Sequence, residues 1–565
     1  MIPDNFKILF GRACAKLASG FCDLRRSGWF DKWLLLAVAI GVILGAQGFT
    51  WGRYDCLNLD RMALRKMITA SRPPFHPGSF VKPPFYTYMN HFVAHVPAST
   101  VSRNLLWLEP GQRKQIYYHM RLALARSLNL AFFAGCTVML FGLVRGAWGP
   151  GAARLASLLF ATSAGFVPYQ VFLTTDLALV FMMLASFACA VKIVDNPGMG
   201  ISIAAGLLAG LAAATKYNGL IVAVALPVAH LLASRGNPLL ACVKRPAAWV
   251  CGLCVPVGFL IGNPYTLLDW PTFSADFLYN YKVTPVYNGA TAGTGYGAFF
   301  RAFIEILGWP GSVFVLLATL VGLVALRSAR GRNGAHLWLL SAVVFCAYTM
   351  KIGSFPRMET RFVIPAAPFA ILLAAAGFSA LLRAKWLTVP AFAMIAFYNV
   401  ACGWQVGIAF RKDPRMRALD YAGAHLEDQA TVEVSGSIPR IQDLPGKKLK
   451  IIRIPTGLER RENFTKMFAA DQDIQAGIAR WEAKTDISWF SREARKQRNP
   501  DWIFWSTIDL ESIARKYYEE LFEKGSVYEV VFDEPPVVFP PWSYPRHTEF
   551  IRSRVTIWKK TPGQL

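Results

Sequence analysis

Leu177–Val191 has the sequence LALVFMMLASFACAV, and this stretch decides the fold class because it contains no charged residue. Similar uncharged runs are Trp33–Gly45 (WLLLAVAIGVILG) and Ala366–Phe378 (AAPFAILLAAAGF). Crossing the hydrocarbon of a bilayer takes about 20 residues of helix, since every backbone polar group must be hydrogen-bonded within the segment. One such run could be a signal sequence, but many of them predict a polytopic α-helical membrane protein.

The composition of the whole chain agrees with this fold class. Of the 565 residues, 54% are hydrophobic and only 17% are charged, whereas soluble domains carry about 25% charged residues. The apolar runs lie between residues 33 and 410. They predict about eleven transmembrane helices, at residues 33–50, 121–144, 152–170, 173–193, 199–214, 217–234, 247–262, 306–326, 335–350, 362–382 and 386–409.

Basic residues predict how these helices are oriented. The N-terminus, residues 1–32, is basic and precedes an uncleaved first helix, so it is expected to be cytoplasmic. The segments 145–154, 235–245, 327–332 and 383–385 are also basic and alternate with the external loops. An odd number of spans places residues 411–565 outside. The sequence therefore predicts a multi-pass protein of the cell inner membrane with an external, periplasmic C-terminal domain.

The chain divides into three parts on this basis. After the N-terminus, residues 33–410 form the transmembrane domain, which includes an external loop at 51–120 and a second one at 263–305. Residues 411–565 predict a soluble α/β domain. Its expected strands are Ala430–Val434, Leu449–Ile454, Trp502–Trp505, Tyr528–Phe532 and Val555–Lys559, and its expected helix is Ile513–Glu523.

The net charge of +25 does not indicate a nucleic-acid-binding protein. No basic patch is interleaved with stacking aromatic residues on a soluble module, and basic loops are normal on the cytoplasmic side of membrane proteins. Cys251 and Cys254 have the spacing of a redox or metal pair, but they lie inside an apolar run without a nearby histidine. We interpret them as packing residues.

Polar residues collect at the external ends of the predicted helices. Singly, Asp176 could cap a helix, Lys216 could extend to the lipid headgroups, and Arg361 could mark an ordinary helix end. Together they place carboxylates and cations at one membrane depth, which favours a site for an anionic substrate because ionisable groups near hydrocarbon are costly. The candidate site residues are Asp60, Lys82, Asp176, Lys216, Tyr217, Asn263, Tyr265, Arg357 and Arg361.

These residues lie in motifs that resemble a known family. In chain order, the motifs are Leu59-Asp60-x-Met-Ala, Lys82-Pro-Pro, Leu173-x-x-Asp176, Gly206-Leu-x-x-Gly210-Leu-x-x-x-Thr215-Lys216-Tyr217, Asn263-Pro-Tyr and Arg361-Phe-x-x-Pro365-x-x-Pro368. The set resembles the C-type superfamily of membrane glycosyltransferases (GT-C), in particular its protein O-mannosyltransferase and lipid A aminoarabinose transferase branch. The resemblance covers about residues 33–410. Where the family often has two adjacent acids, Arg61 follows Asp60 here.

The resemblance implies transfer of a hexosyl or pentosyl group from a polyprenyl-phosphate carrier to an acceptor hydroxyl or phosphate outside the membrane. Asp60 would be the general base, with Asp55 as the fallback, and Asp176 would orient the acceptor or a cation. Lys82, Lys216 and Arg361 would stabilise the departing phosphate. The acceptor could be a glycan, a lipid or a protein. No cofactor is implied, and dependence on a divalent metal is left open.

Two other functions fit a multi-pass protein. A secondary transporter would show internal repeats with interrupted helices around a midplane site, whereas the sequence shows no matching halves and places its charges at the outer boundary. A cell-envelope polysaccharide assembly protein remains an alternative, which the C-terminal domain alone does not exclude.

Overall fold

The computed structural model of this protein describes most of the chain. The described residues are 31–52, 73–234, 244–283, 295–327, 334–355, 358–434, 441, 444, 446–454, 491–506, 517–523, 526–544 and 554–561. Three predicted site residues, Asp60, Asp55 and Arg357, lie outside them.

Each apolar segment expected from the sequence coincides with helical structure. The long Pro110–Thr162 helix covers two expected segments and contains a break at Gly149 (φ 85°, ψ 173°), directly before Pro150. Proline removes one helical hydrogen bond, so the chain turns there. The other helices are Lys32–Ala46, Asp176–Asp195, Met199–Thr215, Tyr217–Val224 continuing as Ala225–Leu232, Pro246–Gly262, Trp309–Ala325, Ala335–Gly353, Thr360–Val363 continuing through Ile364–Ala366 and Ala367–Leu381, and Lys385–Arg411.

The helices differ in whether they are long and apolar enough to cross a membrane. Four helical stretches are long and apolar enough to cross a membrane, or five if the pair Gly295–Leu307 and Trp309–Ala325, bent by 107°, counts as one span. Four further apolar helices are shorter. The described residues therefore show a mostly helical membrane protein, and the count of eleven spans stays a prediction.

The two long loops that are predicted to be external contain more helix than the sequence predicts. In the first, the helix Pro110–Thr162 begins well before residue 121, and residues 85–104 are helical. In the second, helices lie at Tyr265–Leu268, Trp270–Val283 and Gly295–Leu307. Short amphipathic helices can rest along a membrane surface, and they lack the long apolar run by which spans are recognised. The helices of the first loop are Phe85–Asn90, the π-helix His91–His95 and Val96–Asn104.

Glycines allow the helices Met199–Thr215 and Pro246–Gly262 to pack closely. A Cβ atom at Gly206 would lie 2.2 Å from the Cys251 carbonyl oxygen, and one at Gly210 would lie 2.1 Å from the Val255 carbonyl oxygen. Contacts this short leave no room for a side chain, and small residues are the usual means of close helix packing in membranes. The Gly206-x-x-x-Gly210 spacing is thus explained by packing.

The C-terminal domain forms one five-stranded sheet, and all five predicted strands are present. The strands are β1 Thr431–Val434, β2 Lys450–Arg453, β3 Trp502–Ser506, β4 Tyr528–Glu534 and β5 Val555–Lys560. Their order is β2-β1-β3-β5-β4. β1 pairs in parallel with β2 and β3, while β5 is antiparallel to β3 and β4. Of the predicted helix 513–523, residues 513–516 lie outside the described residues, and Glu520–Phe522 is a 3-10 turn.

A buried arginine connects the membrane domain to the start of the C-terminal domain. Arg126 is fully buried and donates hydrogen bonds to the carbonyl oxygens of Val171, at 3.1 Å, and Trp51, at 2.6 Å. The indole of Trp51 donates to Asp413 Oδ2 at 2.7 Å, and Asp413 precedes the helix Pro414–His425. Asp176 follows Val171 by five positions in the chain, so it lies near this junction with the C-terminal domain.

Candidate functional site

Asp176 and Lys216 form the centre of the site, and both lie at helix ends. Asp176 is the first residue of the helix Asp176–Asp195. Lys216 follows the helix Met199–Thr215 in an extended conformation (φ −160°, ψ 132°), which turns its side chain away from that helix. Its ammonium group donates to Asp176 Oδ1 at 2.7 Å. The Asp176 side chain is 1% exposed and that of Lys216 is 24% exposed, so the pair is open on the lysine side.

Arg361 lies near this pair, and both cations are close to the ring of Phe362. Lys216 Nζ is 5.3 Å from the centre of the Phe362 ring, and Arg361 Cζ is 5.6 Å from the same centre. Arg361 also forms an ion pair with Glu359. Cations are attracted to the face of an aromatic ring. The ring therefore helps to hold two cations close together, and Glu359 is a partner that the sequence did not predict.

A hydrogen-bonded chain fixes the backbone next to Arg361. The Asn218 amide donates to the Tyr348 hydroxyl at 2.6 Å, and this hydroxyl donates to the Phe362 carbonyl oxygen at 2.9 Å. Tyr348 is fully buried. Buried polar networks that satisfy their donors make a site rigid. Sequence reasoning missed both residues, although Asn218 stands two positions after Lys216.

Two predicted binding tyrosines hold the backbone of the segment that carries Lys82. The Tyr217 hydroxyl donates to the Phe80 carbonyl oxygen, and the Tyr265 hydroxyl donates to the Pro74 carbonyl oxygen, each at 2.6 Å. A hydroxyl has only one proton to donate. In this structure both tyrosine hydroxyls donate their proton to the backbone of residues 73–83, and these bonds help to position Lys82. Toward a substrate, the two hydroxyls could therefore act only as hydrogen-bond acceptors.

The helix Trp270–Val283 contributes further tethers that the sequence reading did not identify. Asp276 accepts a hydrogen bond from the Phe80 amide at 2.7 Å, and the Asn280 amide donates to the Val81 carbonyl oxygen at 2.9 Å. Residues four apart lie on one face of a helix. The spacing of Asp276 and Asn280 is the sequence signal for a polar helix face here. From the sequence, this region is instead predicted to be a loop.

A fifth tether joins His76 to Asp269, with Nε2 and Oδ2 3.0 Å apart. Burial raises the pKa of Asp269, but hydrogen bonds from His76 and Thr272 outweigh it, and the net pKa is below its usual value. The carboxylate form is thus favoured by its partners. Together, the tethers hold residues 73–83 against the segment 265–283.

Asn263 ends the helix Pro246–Gly262 and is fully buried. Neither polar atom of its side chain has a hydrogen-bond partner among the described residues, so it does not bind the other predicted site residues through hydrogen bonds. Buried polar groups normally have partners. Asp60 and Arg357 lie outside the described residues, and their places in the site remain predictions. The described residues contain no group of three potential metal ligands, and metal dependence stays open.

Comparisons with known proteins agree with this arrangement. The sequence pattern of the family described as "Dolichyl-phosphate-mannose-protein mannosyltransferase" matches residues 81–266, which include Lys82, Asp176 and Lys216. No curated protein sequence matches the chain significantly.

Solved structures extend the likeness to almost the whole chain. ArnT from Cupriavidus metallidurans is similar in its apo state, with 13% identity, a TM-score of 0.52, and coverage of 93% of this chain and 97% of ArnT. ArnT bound to undecaprenyl phosphate gives 14% identity, a TM-score of 0.50, and coverage of 93% and 98%. The oligosaccharyltransferase of Archaeoglobus fulgidus gives 13% identity, a TM-score of 0.47, and coverage of 92% and 76%. The chain thus matches the protein-mannosyltransferase pattern over residues 81–266 and has the fold of ArnT over almost its whole length.

Proposed function

We propose that this protein transfers a sugar from a polyprenyl-phosphate carrier to an acceptor on the outer face of the membrane. The observation that carries the proposal is the open pair of Asp176 and Lys216, with Arg361 beside it, at the ends of apolar helices. A substrate with a long apolar tail and a phosphate head suits a charged site at the boundary of a membrane domain. The ArnT structure with bound undecaprenyl phosphate supports this carrier class.

The cations would act on the phosphate that leaves. An ammonium group has three N–H donors, and one of those on Lys216 is directed at Asp176. The 24% exposure of Lys216 leaves the remaining donors accessible to an anion. As the bond between the sugar and the phosphate breaks, the phosphate takes the electron pair and gains negative charge. Fixed cations at Lys82, Lys216 and Arg361 would stabilise that charge.

The carboxylates would have separate roles. Asp60 would accept the proton of the acceptor hydroxyl as its oxygen attacks the anomeric carbon. Asp176 would orient Lys216, because its carboxylate is buried and hydrogen-bonded to that ammonium group. Asp55 is the fallback for the base. The sugar and the acceptor, whether lipid, glycan or protein, are left open by these residues.

The test uses the purified full-length protein in vesicles with labelled polyprenyl-phosphate sugars and a membrane extract. Wild type should transfer label to one fraction of the extract. Asp60→Asn should lower turnover by about 10²–10⁴-fold, the usual contribution of a general base, while carrier binding is retained. Asp55→Asn is the matched control and should do much less.

Three outcomes would count against the proposal. Loss of turnover in Asp55→Asn but not in Asp60→Asn would move the base to Asp55. Full turnover in both variants would remove the proposed mechanism. Movement of the intact carrier or sugar across the vesicle membrane without transfer of label would favour a transporter.

A further inference from the structure

A basic cleft lies between the helical segment 85–104 and the start of the helix Pro110–Thr162. Its volume is about 610 Å³. None of its lining residues belongs to the proposed glycosyl-transfer site. The side chains that matter here are those of His91, His95, Arg103, Arg113, Lys114 and Tyr117.

The charge of this cleft is positive. Arg103, Arg113 and Lys114 line it, and no lining residue is a carboxylate. Burial lowers the pKa of His91, which is therefore neutral at pH 7 and adds no charge. Arg103 and Arg113 form no ion pair within the part of the chain that the structure describes. A compact anion would be attracted to the two arginines, which have no acidic partner among the described residues.

Some polar atoms of the cleft residues are buried without a partner. His91 is 3% exposed, and its Nδ1 has no hydrogen-bond partner among the described residues. The Nε atom of Arg113 is also buried and has no hydrogen-bond partner among the described residues. Unpaired buried polar atoms are uncommon in folded proteins and call for a partner. An anion with several oxygen atoms would supply one, because the planar guanidinium group matches phosphate in a bidentate geometry.

Large apolar side chains are exposed on the same stretch of chain that carries the cleft residues. Phe92 is 57% exposed, Leu106 76% and Trp107 77%, while Val96, which lines the cleft, is 42% exposed. Exposed apolar residues beside cations are typical of a helix that lies in the membrane interface, and tryptophan is enriched at that depth. These exposed side chains suit a position of the cleft at the level of lipid headgroups.

We infer that this cleft binds the phosphate-bearing headgroup of a membrane lipid, with the acyl chains against the exposed apolar side chains. The inference does not depend on the proposed glycosyl transfer, because the cleft shares no residue with that site. A headgroup explains both the cations and the apolar surround, whereas a soluble phosphate would use only the cations.

The test measures which lipids the full-length protein retains in detergent micelles, by native mass spectrometry. Phosphatidylglycerol is the probe, diacylglycerol is the lipid without phosphate, and inorganic phosphate is the soluble competitor. The variant is Arg103→Gln/Arg113→Gln. The matched control is Arg301→Gln/Lys412→Gln, which removes two cations, both exposed, outside the cleft.

Wild type and the control should retain phosphatidylglycerol but not diacylglycerol, and the Arg103→Gln/Arg113→Gln variant should retain at least about tenfold less. If this variant fails to fold, the single change Arg103→Gln at an exposed side chain should still reduce retention. Equal retention by wild type and the cleft variants would overturn the inference. Displacement of the lipid by an equal concentration of inorganic phosphate would also overturn it, since the cleft would then be a free-anion site.

Discussion

Two of the ion pairs with a buried carboxylate, Asp413–Arg415 and Asp176–Lys216, differ in what surrounds the cation. In the first, Asp413 and Arg415 are both fully buried, with Arg415 Nη2 2.6 Å from Asp413 Oδ2. The Trp51 indole donates to the same carboxylate at 2.7 Å. In the second, Asp176 is equally buried, but Lys216 is 24% exposed and makes one hydrogen bond to it.

The difference separates a structural pair from one that can bind a ligand. The first pair, enclosed by protein, joins the end of the first helix to the C-terminal domain through Trp51. Arg415 also lies over the Trp51 ring, 5.4 Å from its centre. Lys216 has N–H donors beyond the one that it gives to Asp176, and its side chain is partly exposed. In these two pairs the acids are equally buried, and the exposure of the cation is what differs.

The largest expected effect concerns the side of the membrane on which the C-terminal domain is predicted to lie. A reporter enzyme that is active only outside the cytoplasm should be active when fused after Leu565, because an odd number of spans places residues 411–565 outside. The same reporter inserted within residues 327–332 should be silent, because that basic segment is expected to be cytoplasmic. Activity at both positions would overturn the odd number of spans.

The fully buried pair of Asp413 and Arg415 should contribute most to stability. Asp413→Ala leaves the fully buried Arg415 without its carboxylate and should lower the free energy of unfolding by about 3–5 kcal/mol. Thermal unfolding of the detergent-solubilised protein, monitored by loss of the folded peak in size-exclusion chromatography, measures this. Glu534→Ala is the control, since its partner Arg417 is 62% exposed and such pairs contribute about 0–1 kcal/mol. Equal losses in both variants would contradict the structural role of Asp413.

The next effect concerns the cations around the open pair. Lys82→Ala and Arg361→Ala should each weaken binding of undecaprenyl phosphate by about 1.5–3 kcal/mol if each makes a charge-assisted contact to phosphate. Equilibrium binding of a labelled carrier in detergent measures this. The control is Arg383→Ala, an exposed arginine directly after the helix Ala367–Leu381. Unchanged affinity in Arg361→Ala would make that residue an ordinary helix end.

The smallest effect concerns the tethers of residues 73–83. Tyr217→Phe removes the hydrogen bond to the Phe80 carbonyl oxygen and should cost about 0.5–1.5 kcal/mol of local stability. Hydrogen exchange of residues 73–83, measured by mass spectrometry, should become faster by a corresponding factor, and carrier affinity should change little. Tyr281→Phe, at a side chain that is 61% exposed, is the control. Loss of carrier binding with unchanged exchange would instead make the Tyr217 hydroxyl a substrate ligand.

The sequence predicted the parts of the fold that have a strong repeating pattern. Apolar runs located the helices, and short alternating segments located all five strands of the C-terminal sheet. The external helices were missed because Trp270–Val283 mixes tyrosine, asparagine and charged residues with apolar ones. Their stability comes from contacts such as that between Asp276 and the Phe80 amide, and contacts between residues far apart in the chain leave no local pattern.

The sequence predicted which residues belong to the candidate site, but it did not predict the contacts between them. Asp176 and Lys216 were chosen separately, and only the structure shows their hydrogen bond. Tyr217 and Tyr265 were expected to bind substrate, yet their hydroxyls donate to the protein backbone. Tyr348 gave no signal at all, because a tyrosine inside an apolar helix resembles any other core residue until its partners are known.

The central claim is that the open pair binds the carrier phosphate, and the double variant Asp176→Asn/Lys216→Gln tests it most directly. This variant removes both charges together, so no buried charge is left unpaired, and the free energy of unfolding should change by less than about 1 kcal/mol. Binding of labelled undecaprenyl phosphate should fall by about 1.5–3 kcal/mol, or roughly 10–150-fold, relative to wild type measured in the same detergent. A folded double variant that binds the carrier as tightly as wild type would contradict the account.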